Sequence, residues 1–152
     1  MWEVTVKGRP VPKPDPKCFG RGGQHRLTIP EKAPGYKDWR TRCTAAGQAL
    51  VRATGQKALL GAWSIELILI MPFPASLTPA RRPWPAVRNG DIDKLTRLML
   101  DALTDAQVWG DDSLVVDLHA VKVYPHSPHP DADVLGGDTG AVIRIWRPTQ
   151  HA

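Results

Sequence analysis

The stretch NGDIDKLTRLMLDALTDAQVWGDDSLVV, residues 89–116, decides how this chain is read. Leu95, Leu98, Met99, Ala102 and Leu103 stand at i, i+3, i+4, i+7 and i+8, one apolar stripe on a helix that ends near Ala106. A helix of that pattern docks on a sheet. Its start carries Asp91 and Asp93, and Asp111 and Asp112 follow its end. Docking therefore holds two acidic ends in place. Asp93 is expected at or near the N-cap, where a carboxylate suits the positive end of the helix. Residues 107–110 turn the chain, so Asp111 and Asp112 lead into a strand.

Working outward, the 152 residues suit one domain, 1–152, with enough chain to bury a core without disulfides or a structural metal. The two cysteines, Cys18 and Cys43, form no CxxC, and a reducing cytoplasm is the expected setting. Met1 is followed by a strand-like start and not by a signal peptide. The longest apolar run, residues 65–73, is too short for a bilayer, so no membrane partner is expected. Charge is divided unevenly. Residues 1–90 carry 15 Lys and Arg against 5 Asp and Glu, whereas residues 91–152 carry 5 against 10. A basic half beside an acidic half suits a polyanion gripped by one and acted on by the other.

Residues 2–7 alternate, with Trp2, Val4 and Val6 on one face, as in a half-buried strand. Residues 9–34 read as a basic loop: the prolines and glycines argue against any regular element, and Lys13, Lys17, Arg21 and Arg26 offer contacts to phosphates. Residues 35–54 are helical, with Trp39, Cys43, Ala46, Leu50 and Ala53 on one face and Gly55 as the stop. Cys43 fits a small buried apolar residue better than a nucleophile. Residues 61–73 read as a central strand: Trp63, Ile65, Leu67, Leu69 and Met71 face one way, and Ile68 and Ile70 make its second half apolar on both faces. Residues 75–90 form a second basic loop, with Arg81, Arg82 and Arg88 around Trp84. Strands follow at 115–124 and 141–146, separated by a flexible loop at 125–139. That loop's His and Asp residues have no metal-ligand spacing.

The acidic ends carry the chemistry. Hydrolysis of a phosphodiester with Mg²⁺ needs hard oxygen ligands that leave room for substrate. If residues 91–93 are extended, Asp91 and Asp93 point to one side. Capping one helix needs one carboxylate, and two beside Asp111 and Asp112 repel each other without a cation. A strand–helix–strand order permits the two pairs to meet but does not require it. Asp101 shares the helix's polar face with Asp93 and Arg97, and the i, i+4 spacing allows an ion-pair ladder through Arg97.

The order Asp91-Ile92-Asp93, Leu95, Asp101-Ala102-Leu103-Thr104, Trp109, Asp111-Asp112, Val115-Val116-Asp117 and Lys122 resembles the RusA family of Holliday junction resolvases. The resemblance implies a dimeric, Mg²⁺-dependent endonuclease of the bacterial or phage-infected cytoplasm. It makes Asp91, Asp93 and Asp112 the metal-site carboxylates, with Mn²⁺ able to substitute and no organic cofactor. The family's cleavage lysine falls on Arg97, and Lys94 stands where the family usually has Asn. Arg97 keeps a positive charge near the scissile phosphate but cannot donate a proton at neutral pH; either Arg97 or Lys94 can fill that place. Asp101 and Asp111 fit supporting positions behind the ligands.

The expectation is an α/β (α+β) domain with a mixed sheet of four to five strands and two main helices packed on it. The expected function is Mg²⁺-dependent, structure-selective cleavage of four-way DNA junctions by paired nicks from a homodimer. The alternatives are a less selective metal-dependent nuclease on flaps and forks, or a junction-binding protein with a degenerate metal site. Leu100 and Trp109 are expected at the dimer interface.

Overall fold

The structure is a computed structural model that describes residues 1–15, 34–55, 60–75 and 90–149, and the backbone of 17–19 and 26–28. The strands are β1 (Trp2–Lys7), β2 (Lys17–Phe19), β3 (Arg26–Thr28), β4 (Trp63–Ile70), β5 (Val115–Val123) and β6 (Gly140–Trp146). The helices are α1 (Tyr36–Thr54) and α2 (Ile92–Asp105). Four strands form one mixed sheet in the order β1-β6-β4-β5. β6 is antiparallel to both β1 and β4, and β5 is parallel to β4. A parallel pair needs a crossover, and α2 lies in the one between β4 and β5. The expected α+β domain, a mixed sheet with two helices packed on it, is what forms.

The double apolar pattern of β4 explains the layering. Trp63, Ile65, Leu67, Leu69 and Met71 join the core under α1 and α2. Ile68 and Ile70 pack on the opposite face with Val123, Ala132, Leu135 and Val142. All five stripe residues of α2 are fully buried, the leucines and Met99 each contributing about 1.5–3 kcal/mol if fully exposed when unfolded. The two helices touch closely at Gly47, where a Cβ would lie 2.6 Å from Ala106 Cβ, so only glycine fits. Cys43 is buried, and burial pushes its thiol pKa up, which makes it unreactive. Ala53, expected on the buried face of α1, is exposed, whereas Gly47, not read as part of that face, is buried.

One expectation for the loops is corrected and another is extended. The 9–34 stretch holds the antiparallel pair β2 and β3, with Lys17 opposite Thr28 and Phe19 opposite Arg26. Strands of three residues between prolines and glycines leave no periodicity to read. The 125–139 segment holds turns and no helix or strand, as the loop reading expected, but it also packs on the sheet. Its Ala132 and Leu135 cover the second face of the sheet, and Arg144 fastens it by two hydrogen bonds to Asp131, of 2.7 and 3.0 Å. Arg144 sits in a row across all four strands, Glu3–Arg144–Glu66–His119, set by the strand register. It also donates to Glu3 (2.6 Å) and Glu66 (3.0 Å). Hydrogen bonding to Arg144 holds the Asp131 carboxyl below the ordinary range.

Helix α2 ends in a Schellman turn. The Val108 N–H donates to the Leu103 carbonyl and the Gln107 N–H to the Thr104 carbonyl. Gln107 takes the left-handed position, φ 64°, where glycine is usual. Trp109 then enters the core, fully buried. Its indole N–H donates to Thr104 Oγ1 at 3.0 Å, and its ring lies 6.5 Å from that of Trp63.

Candidate active site

The first turn of α2 sets the geometry. Asp91 is the N-cap, extended at φ −77°, ψ 135°, but its side chain makes no capping hydrogen bond. Helical geometry begins at Ile92, so Asp91 is the N-cap with Asp93 in the first turn, and the extended 91–93 segment that would point both carboxylates to one side does not form. Residues i and i+2 diverge on a helix, and Asp91 and Asp93 part company. Asp93 lines a groove of about 460 Å³ together with Ile92, Thr96, Arg97, Leu100, Asp112, Leu118 and Ala120. Asp91 instead has its carboxylate 3.7 Å from Lys94 Nζ.

Asp112 reaches the groove from the far end of the organising stretch. The Ser113 N–H donates to the Asp111 carboxylate at 2.7 Å, which caps a 3₁₀ turn, Asp112–Leu114. Hydrogen bonds from Ser113 hold the Asp111 carboxyl below its ordinary value. Asp111 thus shapes the turn, and Asp112 faces the groove. A bulge follows: Trp63 pairs with Val115 and Ser64 with Asp117, leaving Val116 out of the ladder. Bulges are common beside active sites because they re-aim neighbouring side chains. Lys122 ties this edge to the first acidic end, donating to the Gly90 carbonyl at 2.7 Å.

The structure thus brings together Asp93, Arg97 and Asp112, on α2 and just before β5. Among the described residues, none of the three takes part in an ion pair. The expected Asp93–Arg97–Asp101 ladder is absent among these residues. Asp101 accepts from Lys13 Nζ at 2.6 Å instead. Lys13, expected on DNA, is engaged with the helix. Lys94 is not among the groove-lining residues and donates to Asp15 at 2.8 Å, which raises its pKa further. Leu100 lines the groove and Trp109 is buried, so the dimer contact expected of Trp109 is withdrawn. Arg21, Arg81, Arg82 and Arg88 lie outside the described residues, as do the side chains of Lys17 and Arg26.

Among the described residues no three His, Cys, Asp or Glu side chains gather as a metal cage. Two groove carboxylates with an open front fit Mg²⁺ nonetheless, because that ion keeps waters and completes its shell with substrate phosphate. Sequence reasoning missed Thr96, Leu118 and Ala120 as groove walls and Asp15 as the partner of Lys94. Lys122 carried a signal, as a matched position without an assigned role.

No described helix is long and apolar enough to cross a membrane. In comparisons with known proteins, Uncharacterized protein YqaN of Bacillus subtilis (strain 168) is 26% identical over 136 residues, covering 83% of this chain and 89% of that protein. Residues 7–132 match the family described as Endodeoxyribonuclease RusA, a span that includes every groove residue. With most of its length inside that match, the chain belongs to the RusA family of endodeoxyribonucleases.

Proposed function

We propose that the chain is a divalent-metal-dependent endonuclease that resolves four-way DNA junctions. The observation that carries this reading is the single groove lined by Asp93, Arg97 and Asp112, with none of them in an ion pair among the described residues. Asp93 and Asp112 hold the metal, and Asp91, the N-cap residue outside the groove lining, is the third carboxylate of the proposed set, brought in by a shift of its side chain. A Mg²⁺ ion held by these carboxylates would supply Lewis acidity at the scissile phosphate and activate water as the nucleophile. Arg97 pairs with the phosphate and stabilises charge that builds on it during cleavage. Its guanidinium stays protonated, so its work is electrostatic. Lys94 is held charged by Asp15 and lies off the groove lining, which supports Arg97 in the place of the family lysine. Ile92, Leu100, Leu118 and Ala120 form an apolar wall that packs against the sugar and limits water.

Two cuts on opposing strands need two sites at a fixed spacing, which a two-fold dimer provides. The basic residues Lys17, Arg21, Arg26, Arg81, Arg82 and Arg88 are proposed to grip the junction arms. The test is cleavage of a synthetic four-way junction with Mg²⁺, Mn²⁺ or chelator, against flap, fork and duplex controls. Paired symmetric nicks that need the metal support the reading. Equal cutting of flaps and forks points to a less selective nuclease, and binding without cleavage to a junction-binding protein.

A further inference from the structure

The segment after β1 forms a strap along the polar side of α2. The Lys13 N–H donates to the Lys94 carbonyl at 3.2 Å, and the Lys13 ammonium to Asp101 at 2.6 Å. Pro12 closes against Gly90, where a Cβ would stand 3.1 Å from the proline ring. The strap ends by placing Asp15 beside the first turn of α2, and there the pairing is reversed: the helix lysine, Lys94, donates to the strap carboxylate at 2.8 Å. The same ammonium stands 3.7 Å from the Asp91 carboxylate. Lys94 thus has two carboxylates within reach, and Asp15 holds it more closely.

A tethered ammonium and a divalent cation compete for the same carboxylate oxygens. The shorter Asp15–Lys94 pair satisfies most of the ammonium's charge and leaves Asp91 only the looser 3.7 Å contact. Without Asp15, Lys94 is free to close on Asp91 and neutralise it. We propose that Asp15 is a positioning residue of the cleavage site, holding the Lys94 ammonium off Asp91 so that Asp91 stays open to the metal. The inference rests on the metal-site reading above and adds to it a residue 79 positions from Lys94 in the sequence.

The test is Mn²⁺ affinity of the full chain, read from the electron paramagnetic resonance signal of free Mn²⁺. Five proteins are compared: wild type, Asp15→Asn, Asp15→Glu, Lys94→Gln and the double variant Asp15→Asn with Lys94→Gln. Asp15→Asn is expected to weaken Mn²⁺ binding roughly tenfold, and Asp15→Glu to restore it. In the Lys94→Gln background, Asp15→Asn should change affinity by about twofold or less, because no ammonium remains to be held. A loss of the same size in both backgrounds would overturn the proposal, since Asp15 would then act through its own charge or through the strap. An unchanged affinity in Asp15→Asn overturns it too. A wild-type chain that binds no Mn²⁺ overturns the metal site itself, an outcome distinct from either.

Discussion

Two sets of carboxylates lie in this molecule under opposite regimes. On the outer face of the sheet, Glu3, Glu66 and Asp131 converge on one guanidinium, Arg144, in a row that runs across all four strands. At the groove, Asp93 and Asp112 face open space beside Arg97, and among the described residues neither forms an ion pair. The first arrangement satisfies its charges internally and fastens a segment to the sheet. The second leaves its exposed carboxylates to solvent, with no ion-pair partner among the described residues, where a cation can reach them. The difference separates carboxylates that hold the fold from the carboxylates proposed to act.

The largest expected effect breaks the groove set. Asp93→Asn should lower junction cleavage at least roughly a thousandfold while the thermal midpoint stays level or rises, since a repulsive charge is removed. Single-turnover cleavage and differential scanning calorimetry check the two halves. Near wild-type cleavage would remove Asp93 from the site. Arg97→Ala should cost about a hundredfold and Arg97→Lys far less, because the role assigned is charge near the phosphate. An equal loss in both variants would show that the planar fork of the guanidinium is needed instead.

The outer set should respond in the opposite sense. Asp131→Ala is expected to remove about 2 kcal/mol of stability, measured by urea unfolding, with cleavage per folded molecule unchanged. Its pH dependence has a fixed sign. Arg144 lowers the Asp131 pKa in the folded state. The contribution is therefore complete above the ordinary value of 3.8 and is lost as pH falls below it toward the lowered folded value. Asp131→Ala should flatten the wild-type stability loss in that window. A profile that keeps its slope would assign the acid sensitivity to other groups.

The smallest effect touches neither set. Gln107→Gly relieves a left-handed residue at the C-terminus of α2 and should stabilise the fold by about 0.5–1 kcal/mol, with cleavage unaffected. A destabilised Gln107→Gly would mean that the side chain makes a contact worth more than the backbone strain.

How much of this was legible in the sequence follows from where each signal resides. The α2 stripe and the two-faced β4 are local patterns enforced by burial, and both formed as read. Gly55 ends α1 in the left-handed conformation that glycine favours. The β2–β3 pair was hidden because three-residue strands carry no period, and the cover at 125–139 because its apolar residues follow none. In the site, residue types pointed to the acidic pairs, but the split between Asp91 and Asp93 depended on where the helix began. A difference of two residues at that boundary, from Asp93 to Asp91 as N-cap, leaves Asp93 lining the groove and Asp91 beside Lys94. The partners of Lys94 and Asp101, namely Asp15 and Lys13, lie 79 and 88 positions away, beyond any local pattern.

The most direct measurement is the thermal midpoint as Mg²⁺ is titrated, at constant ionic strength, for wild type, Asp93→Asn and Asp131→Ala. A ligand that binds only the folded state raises its stability by mass action. The midpoint should rise with Mg²⁺ in wild type and by the same amount in the less stable Asp131→Ala, and should stay flat in Asp93→Asn. An equal rise in Asp93→Asn, or no rise in wild type, would contradict the assignment of the groove carboxylates to a metal.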